Sequence, residues 1–273
     1  MRHMNRLLLV VSALVLLGAL TACGSSHAAA ISANLGPMPT DVPEFSNGVF
    51  GFQRAGPVLR QGSRVEFFVF DTQWDAGSAL DRWAEIKALS QFGTWKGLAE
   101  GQTTVRALPT TTPNYAQAPF TPTFDLSHAT YSSRYVSFIH HVVQSKPNGP
   151  TTRLPPAQEV LLTRYGHLPE TLYPENQTLW PVILAGGYAM HGQIVTSPIP
   201  MADPRITSSQ SKLFAWFQRE ITRGGKDPEQ EYWLTPVNDF ASTIVAVICH
   251  ADGGKPTGAC NRSVIHAIEH RLP

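Results

Sequence analysis

The sequence predicts an α/β fold with a helical C-terminal region, and three features of the chain indicate this fold class. An apolar segment over residues 65–70 runs through a short polar turn into an amphipathic helix. Two further apolar segments, within residues 179–192, are joined by Gly186-Gly187, which tolerates the positive φ angles of a tight hairpin. Beyond residue 208, apolar residues recur at helical spacing in three successive segments.

The first strand and the helix that follows it form half of a βαβ unit. Residues 65–70 are apolar at nearly every position, which is typical of a strand buried on both faces of a sheet. Asp75 is expected to cap the helix, because its carboxylate can accept a backbone N–H at the positive end of the helix dipole. The apolar face of the helix consists of Ala79, Trp83, Ile86 and Leu89. The charged residues are expected mostly on its other faces, and they are Asp81, Arg82, Glu85 and Lys87.

The segments between this helix and the hairpin are predicted to be extended or irregular. Residues 100–122 are rich in threonine and proline, so they are expected to form an irregular crossing. Strands are predicted over residues 122–126 and 131–138, and a short helix over residues 157–165. The three helices of the last third are expected within residues 209–223, 235–250 and 261–271.

Several sequence motifs carry a resemblance to a known family. The turn reads Trp74-Asp75-Ala76-Gly77-Ser78 and continues to Arg82-Trp83, and the helix ends in Ala-Leu-Ser-Gln-Phe-Gly. Further motifs are Pro122-Thr123-Phe124, the tyrosine- and serine-rich residues 131–138, and the run from Ile248-Cys249 through Gly253-Gly254 to Cys260. Over residues 48–268 the chain thus resembles a family of exported thioredoxin-like proteins that is known as a domain of unknown function. In that family the turn reads W-C-P-Y-C-A-A-E-R-W.

The resemblance implies a thioredoxin-like mixed sheet with flanking helices and a helical C-terminal addition. It also places the two redox cysteines of the family at Asp75 and Ser78 of this chain. Dithiol exchange needs one thiolate that attacks and a second thiol that resolves the mixed disulfide. An aspartate and a serine can do neither. The turn formed by Trp74, Asp75, Ala76, Gly77 and Ser78 is therefore a degenerate active-site turn, and no catalytic residue is predicted there.

Pro181 matches the cis-proline that opens the strand opposite this turn in thioredoxin-like folds. The alternative is a trans proline that begins an edge strand, and the upstream motifs favour the cis form. The preceding Trp180 either covers the turn or forms the floor of a binding cleft. The sequence leaves both roles of Trp180 open.

The N-terminal region reads as an export signal. Residues 1–23 contain basic residues, a short apolar run and the lipobox Leu20-Thr21-Ala22-Cys23, in which Cys23 would be diacylated. The alternative is a membrane-spanning helix, but the apolar run is too short for one. Residues 24–47 are expected to be a tether and residues 48–273 the thioredoxin-like domain. The sequence therefore predicts an extracytoplasmic protein that is held at a membrane by a lipid anchor.

The two remaining cysteines, Cys249 and Cys260, are expected to form a disulfide in an oxidising compartment. A glycine-rich segment separates them, and a structural bridge is the favoured interpretation. In the alternative, the pair is a redox-active substitute for the lost turn cysteines. The wide spacing of the pair argues against this role, since it lacks the helix-start geometry that lowers a thiol pKa.

Composition argues against a nucleic acid partner, and histidine spacing argues against two particular metal motifs. The formal net charge is +1, with 21 basic and 20 acidic residues, so the chain has no basic footprint for a nucleic acid partner. No cofactor and no metal site are predicted. The adjacent His140 and His141 would point to opposite faces of a strand. His266 and His270 fit an H-x-x-E-H metal motif, but only three residues follow, so a third ligand is missing.

Three hypotheses of function follow. The first is a redox-inactive thioredoxin-like domain that is displayed on a membrane and binds a protein, a peptide or an envelope component. The second is a thiol-disulfide oxidoreductase that uses Cys249 and Cys260. The third is a carrier of a metal or small ligand that uses some of the ten histidines. The first is favoured, because the fold motifs agree with the family while the catalytic positions do not.

Overall fold

The structure is a computed structural model that describes residues 31, 33–40, 51–106, 120–147, 149–166, 180–191, 209–224 and 231–273. Its strands are β1 (Gln53–Arg54), β2 (Arg60–Gln61), β3 (Arg64–Thr72), β4 (Gly93–Lys96), β5 (Ala99–Arg106), β6 (Phe120–Asp125), β7 (Thr130–Ser133), β8 (Val136–Gln144), β9 (Val182–Ala185) and β10 (Tyr188–His191). Its helices are α1 (Ala76–Leu89), α2 (Pro156–Tyr165), α3 (Gln210–Arg223), α4 (Glu231–Asp252), α5 (Thr257–Cys260) and α6 (Ser263–Glu269).

Strand β3 is the centre of a mixed sheet. It pairs with β8 in parallel and with β9 in antiparallel orientation, and these two strands lie on opposite sides of it. The hairpin partner of β9 is β10, which pairs in turn with β1, while β2 pairs with the first residues of β3. The α/β fold class and the mixed sheet that the sequence predicts are therefore confirmed.

Helix α1 connects β3 with the region of the chain that leads to β8, and it is buried on nearly all sides. It packs against α4 and against β6. Trp83, Ile86 and Leu89 lie in the core, as their spacing predicts. The charged residues Arg82 and Glu85 are buried as well. The sequence predicted that these charged residues lie mostly away from the apolar face of the helix, but it did not predict that they are buried. Their burial comes from strands and helices that are distant in sequence.

Two ribbons lie beside the central sheet, and they correct the predicted strand pattern. Strand β5 pairs antiparallel with β6, so residues 99–106 are not the irregular crossing that the prolines and threonines suggested. The predicted strand over residues 131–138 is two strands, since β7 pairs with β4 while β8 belongs to the central sheet. The break between them is stabilised by Ser133, whose Oγ accepts the backbone N–H groups of Tyr135 and Val136.

Apolar side chains form one cluster on each face of the central sheet. The larger cluster lies between the sheet and helices α1, α3, α4 and α6. The smaller cluster lies on the other face, where Phe68 and Phe70 pack with β9 and with α2. The hairpin between β9 and β10 turns at Gly186 and Gly187, which have φ angles of 56° and 85°. A side chain at Gly186 would also collide with the Val247 carbonyl oxygen, so the turn requires glycine there.

Part of the predicted tether is packed onto this fold. Leu35 and Met38 are buried members of the larger cluster. The Ile31 backbone N–H donates to the Leu98 carbonyl oxygen at 2.9 Å. The tether predicted over residues 24–47 is therefore wrong for residues 33–40, because apolar side chains at two of these positions enter the core.

Candidate functional site

The turn between β3 and α1 is the position at which the sequence predicts a lost active site. β3 ends at Thr72, and α1 begins at Ala76. The Asp75 carboxylate accepts the Ser78 backbone N–H at 2.7 Å, so Asp75 caps α1 as the sequence predicts. Ser78 is buried, and its hydroxyl has no hydrogen-bond partner among the described residues. The helix start thus holds a carboxylate and a hydroxyl but no thiolate.

Pro181 stands directly before β9, and the peptide bond between Trp180 and Pro181 is cis. Phe70 of β3 pairs with Val182 of β9 in antiparallel register. This register places Pro181 beside the end of β3 from which the turn to α1 departs. Trp180 is half-buried and packs against the smaller apolar cluster, on the face of the sheet opposite α1. The turn and Pro181 therefore lie at the same end of β3.

A buried network of polar side chains lies between β3, α1 and β6, and sequence reasoning missed it. Arg82 of α1 forms an ion pair with Asp71 of β3 and donates to it through Nε at 3.2 Å. The same guanidinium donates through Nη1 to Thr123 Oγ1 at 3.2 Å and to the Phe124 carbonyl oxygen at 3.4 Å. The signal that could have indicated it was an aspartate at the end of an apolar strand, followed by an arginine on the next helix.

His140 of β8 extends this network. Its Nε2 atom lies 3.0 Å from Asp71 Oδ1. Burial by itself would raise the pKa of Asp71, but the charge of Arg82 and the neighbouring His140 outweigh burial and hold the pKa below its ordinary value. Burial would likewise lower the pKa of Arg82, and Asp71 keeps it above its ordinary value. Asp71 and Arg82 are therefore a charged pair at neutral pH.

Glu85 lies one helical turn beyond Arg82 and is almost fully buried. Burial, reinforced by the negative charge of Asp71 and opposed by Arg82, raises the pKa of Glu85 to about 8. The folded protein thus holds Glu85 mainly in its neutral, protonated form at pH 7. The network therefore combines one balanced ion pair with one neutral acid.

An open cleft of about 830 Å³ lies over the network. Strand β8 forms one wall through His140, His141 and Val142, and the β5–β6 ribbon forms another. Arg82 reaches the floor of the cleft, and Asp125 lies at the exposed end of β6. The volume falls in the range of ordinary ligand sites. The sequence did not predict this cleft, because its walls come from segments that pair only in the folded chain.

The histidines of β8 point to opposite faces, as strand geometry predicts. His140 approaches Asp71, whereas His141 stacks on Phe70 with ring centroids 6.1 Å apart. Burial, followed by the proximity of His140, lowers the pKa of His141. In the H-x-x-E-H segment, His266 Nδ1 lies 2.9 Å from Glu269 Oε2, and His270 is exposed. Within the ranges that the structure describes, no three His, Cys, Asp or Glu side chains form a group that could hold a metal ion.

Cys249 and Cys260 are bonded in the structure, with their Cα atoms 5.5 Å apart. Both residues are buried in the larger cluster, where the bridge joins α4 to the short helix α5. The disulfide lies in a core of packed helices. This arrangement agrees with the structural bridge that the sequence favours.

The predicted signal segment 1–23, the lipidation residue Cys23 and most of the predicted tether lie outside the described residues. In the portion of the chain that is described, no helix combines the length and the apolar character needed to cross a bilayer. The membrane anchor therefore remains a prediction from the sequence.

Comparison of the chain with protein-family models, with curated proteins and with solved structures found no match in any of the three.

Proposed function

We propose that this chain is an exported lipoprotein whose thioredoxin-like domain is redox-inactive and binds a protein, a peptide or an envelope component at a membrane. The strand order β8-β3-β9-β10 supports the thioredoxin-like fold, since β3 and β8 are parallel and the β9–β10 hairpin is antiparallel to β3. The proline directly before β9 and the helix after β3 further support it. The lipid anchor rests on the lipobox that ends at Cys23.

The observation that carries the redox-inactive assignment is the use of Asp75. At the position of the attacking cysteine in the similar family, this chain has a carboxylate that is bonded to the Ser78 backbone N–H. A carboxylate at a helix N-terminus is stabilised by the dipole and has no disulfide chemistry. The helix N-terminus, which would lower the pKa of a cysteine at this position, instead holds the capping carboxylate of Asp75. We therefore assign the domain a binding function rather than a catalytic one.

The oxidoreductase alternative would have to use Cys249 and Cys260. Both residues are almost completely buried. An exchange reaction needs a thiolate that a second disulfide can reach. Burial of this pair in the helical core therefore argues against the alternative. No observation on the described residues favours a carrier of metal ions.

An insulin-reduction assay tests the proposal. We expect no turnover by the native protein beyond the rate with reductant alone. The variant with both Asp75→Cys and Ser78→Cys is the positive control, because it restores two thiols at the spacing of the family motif, and we expect it to form a reversible disulfide. Insulin reduction by the native protein that disappears in the Cys249→Ala/Cys260→Ala variant would instead establish the oxidoreductase alternative.

A further inference from the structure

Strand β8 is an edge of the central sheet and faces the cleft of about 830 Å³. Strand β9 occupies the other side of β3, and no other described strand pairs with β8. An edge strand presents a row of backbone N–H and C=O groups to whatever lies beside it. The cleft therefore contains a template for a further strand.

The backbone groups that face outward follow from one hydrogen bond. The Val65 backbone N–H donates to the Tyr135 carbonyl oxygen at 2.9 Å. In a parallel pair, alternate residues bond the partner strand through both backbone groups, so residues 137, 139 and 141 face β3. The backbone N–H and C=O groups of the residues between them, Phe138, His140 and Val142, therefore point away from β3. Within the described residues, no backbone hydrogen bond reaches these three from the outer side. The free edge ends at Val142, because the next carbonyl oxygen, that of Val143, accepts the Thr152 backbone N–H at 2.8 Å.

The opposite wall of the cleft is held in place by contacts with the sheet and with α1. The Thr104 backbone N–H donates to the Gln73 carbonyl oxygen at 3.1 Å, which ties β5 to the end of β3. The Trp83 Nε1 donates to the Pro122 carbonyl oxygen at 2.9 Å, which ties β6 to α1. Because both strands of the ribbon are anchored, the space between the ribbon and β8 is preformed.

Charge adds a preference for one kind of ligand. Among the described residues that line the cleft, Arg82 and Asp125 are the ones with formal charges, histidines aside. Arg82 forms its ion pair with Asp71 and also interacts with the charge of Asp125, so these three groups together carry one negative charge. Asp125 lies at the exposed end of β6, where its carboxylate accepts the Ser127 backbone N–H at 2.8 Å. The mouth of the cleft is therefore complementary to a positive side chain.

We propose that the cleft binds an extended peptide segment, which adds as a strand to the outer edge of β8 and places a lysine or arginine against Asp125. The segment pairs with the backbone groups of His140 and Val142. This site rests on the proposed binding function and gives that function a ligand class and a location. It lies on the opposite side of β3 from Pro181.

A displayed library of random heptapeptides supplies the probe. Peptides that the mature full chain enriches are synthesised, and their binding is followed by calorimetry and by hydrogen exchange. We expect the enriched peptides to carry a lysine or arginine and to slow exchange in the β8 segment. Methylation of alternate peptide nitrogens removes the backbone donors, and we expect it to weaken binding by about tenfold or more, since each lost hydrogen bond costs severalfold in affinity.

Two variants with matched controls locate the site. Val142→Pro removes an outward N–H without removing a hydrogen bond to β3, so we expect it to bind about tenfold more weakly than Val142→Ala, which makes a smaller side chain but keeps the N–H. Asp125→Asn is expected to weaken basic peptides about two- to fivefold and to leave their lysine-to-glutamine analogues unchanged. If Val142→Pro does not fold, the methylated peptides and the exchange measurement on the native chain decide the question.

Two results would overturn this site. One is a selection that yields no peptide whose binding depends on β8. The other is peptides that bind both Val142 variants equally and protect the residues around Pro181. The second result would leave the proposed binding function intact, because it moves the ligand to the degenerate turn. Insulin reduction by the native protein would contradict the proposed function without bearing on the cleft.

Discussion

Asp75 has a structural role at the start of α1. Its carboxylate accepts the Ser78 backbone N–H at 2.7 Å and lies at the positive end of the α1 dipole. We expect Asp75→Ala to lower the free energy of unfolding by about 1 kcal/mol, through the lost cap and the lost dipole interaction. Urea denaturation measures the change, and Asp75→Asn is the matched control because it retains the acceptor oxygen. An alanine variant as stable as the asparagine variant would show that the cap contributes nothing.

Glu85 makes the stability of the fold depend on pH. The folded protein holds a proton on Glu85 up to about pH 8, whereas the unfolded chain releases it near the ordinary glutamate pKa of 4.5. The folded state thus binds more protons between these values, so the free energy of unfolding contributed by Glu85 falls as pH rises through this window. Burial, reinforced by Asp71, is the physical cause of the raised pKa.

The Glu85→Gln variant tests this dependence, since glutamine stays neutral at every pH. We expect its stability relative to the native protein to increase with pH from about 5 to 8, by at most about 1.4 kcal/mol per pH unit. Urea denaturation at each pH gives the difference directly, and groups such as His141 that titrate in both proteins cancel. Parallel stability profiles for the two proteins would exclude a raised pKa for Glu85.

At the scale of elements, the pair of Arg82 and Asp71 connects β3 with α1, and Arg82 also reaches β6. We expect Arg82→Met to destabilise the fold by about 3–5 kcal/mol, because it leaves the Asp71 carboxylate buried without its positive partner. The double variant Asp71→Asn/Arg82→Met should recover most of this loss, since the remaining group is neutral. Urea denaturation of the native protein, the single variants Arg82→Met and Asp71→Asn, and the double variant completes the cycle.

A matched control separates this effect from the loss of any arginine on a helix. Arg223 ends α3, is largely exposed and pairs with Glu220 at 3.5 Å. We expect Arg223→Met to change stability by less than about 1 kcal/mol, since exposed ion pairs contribute little. If Arg82→Met costs no more than Arg223→Met, the buried pair does not hold the three elements together.

Local sequence signals predict the elements of this fold better than they predict its site. The strand over residues 65–70, the cap at Asp75 and the Gly186-Gly187 hairpin each depend on a few neighbouring residues, so the sequence indicates them directly. The burial of Arg82 and Glu85 depends on α4 and β6, which lie far along the chain. Helical periodicity shows which residues share a face of a helix, but it does not show how many of those faces other elements will bury.

The same argument explains the errors in the ribbons and the tether. The threonines of β5 and the threonines and proline of β6 are compatible with strands because the two segments pair with each other, and no local signal specifies that pairing. Leu35 and Met38 are isolated apolar residues in a polar segment, and only the surface formed by the helices gives them a place to pack. The cleft beside β8 follows from these long-range pairings, so it could not be predicted from local patterns.

At the scale of the whole molecule, the packed segment 33–40 brings the domain close to its predicted anchor along the chain. Only residues 24–30 separate Cys23 from Ile31, whose backbone N–H is bonded to Leu98. If Cys23 is lipidated as the sequence predicts, a domain tied this closely to it would be confined to the membrane surface, and its ligands would be those that reach that surface. The proposed peptide site would then select among polypeptides that pass or reside at the membrane.

The anchor itself is tested through Cys23. We expect Cys23→Ala to release the protein from membranes or to leave an unprocessed precursor, because two acyl chains supply an anchoring free energy that the apolar run 7–17 lacks. Ala22→Gly is the matched control, since it keeps a small residue before the cysteine and should remain lipidated. Labelling with a palmitate analogue, followed by membrane fractionation, distinguishes the variants. Membrane retention of Cys23→Ala without a lipid label would contradict the lipoprotein assignment. The protein would then be held at the membrane by some other means, and the peptide site would have to be tested in that setting.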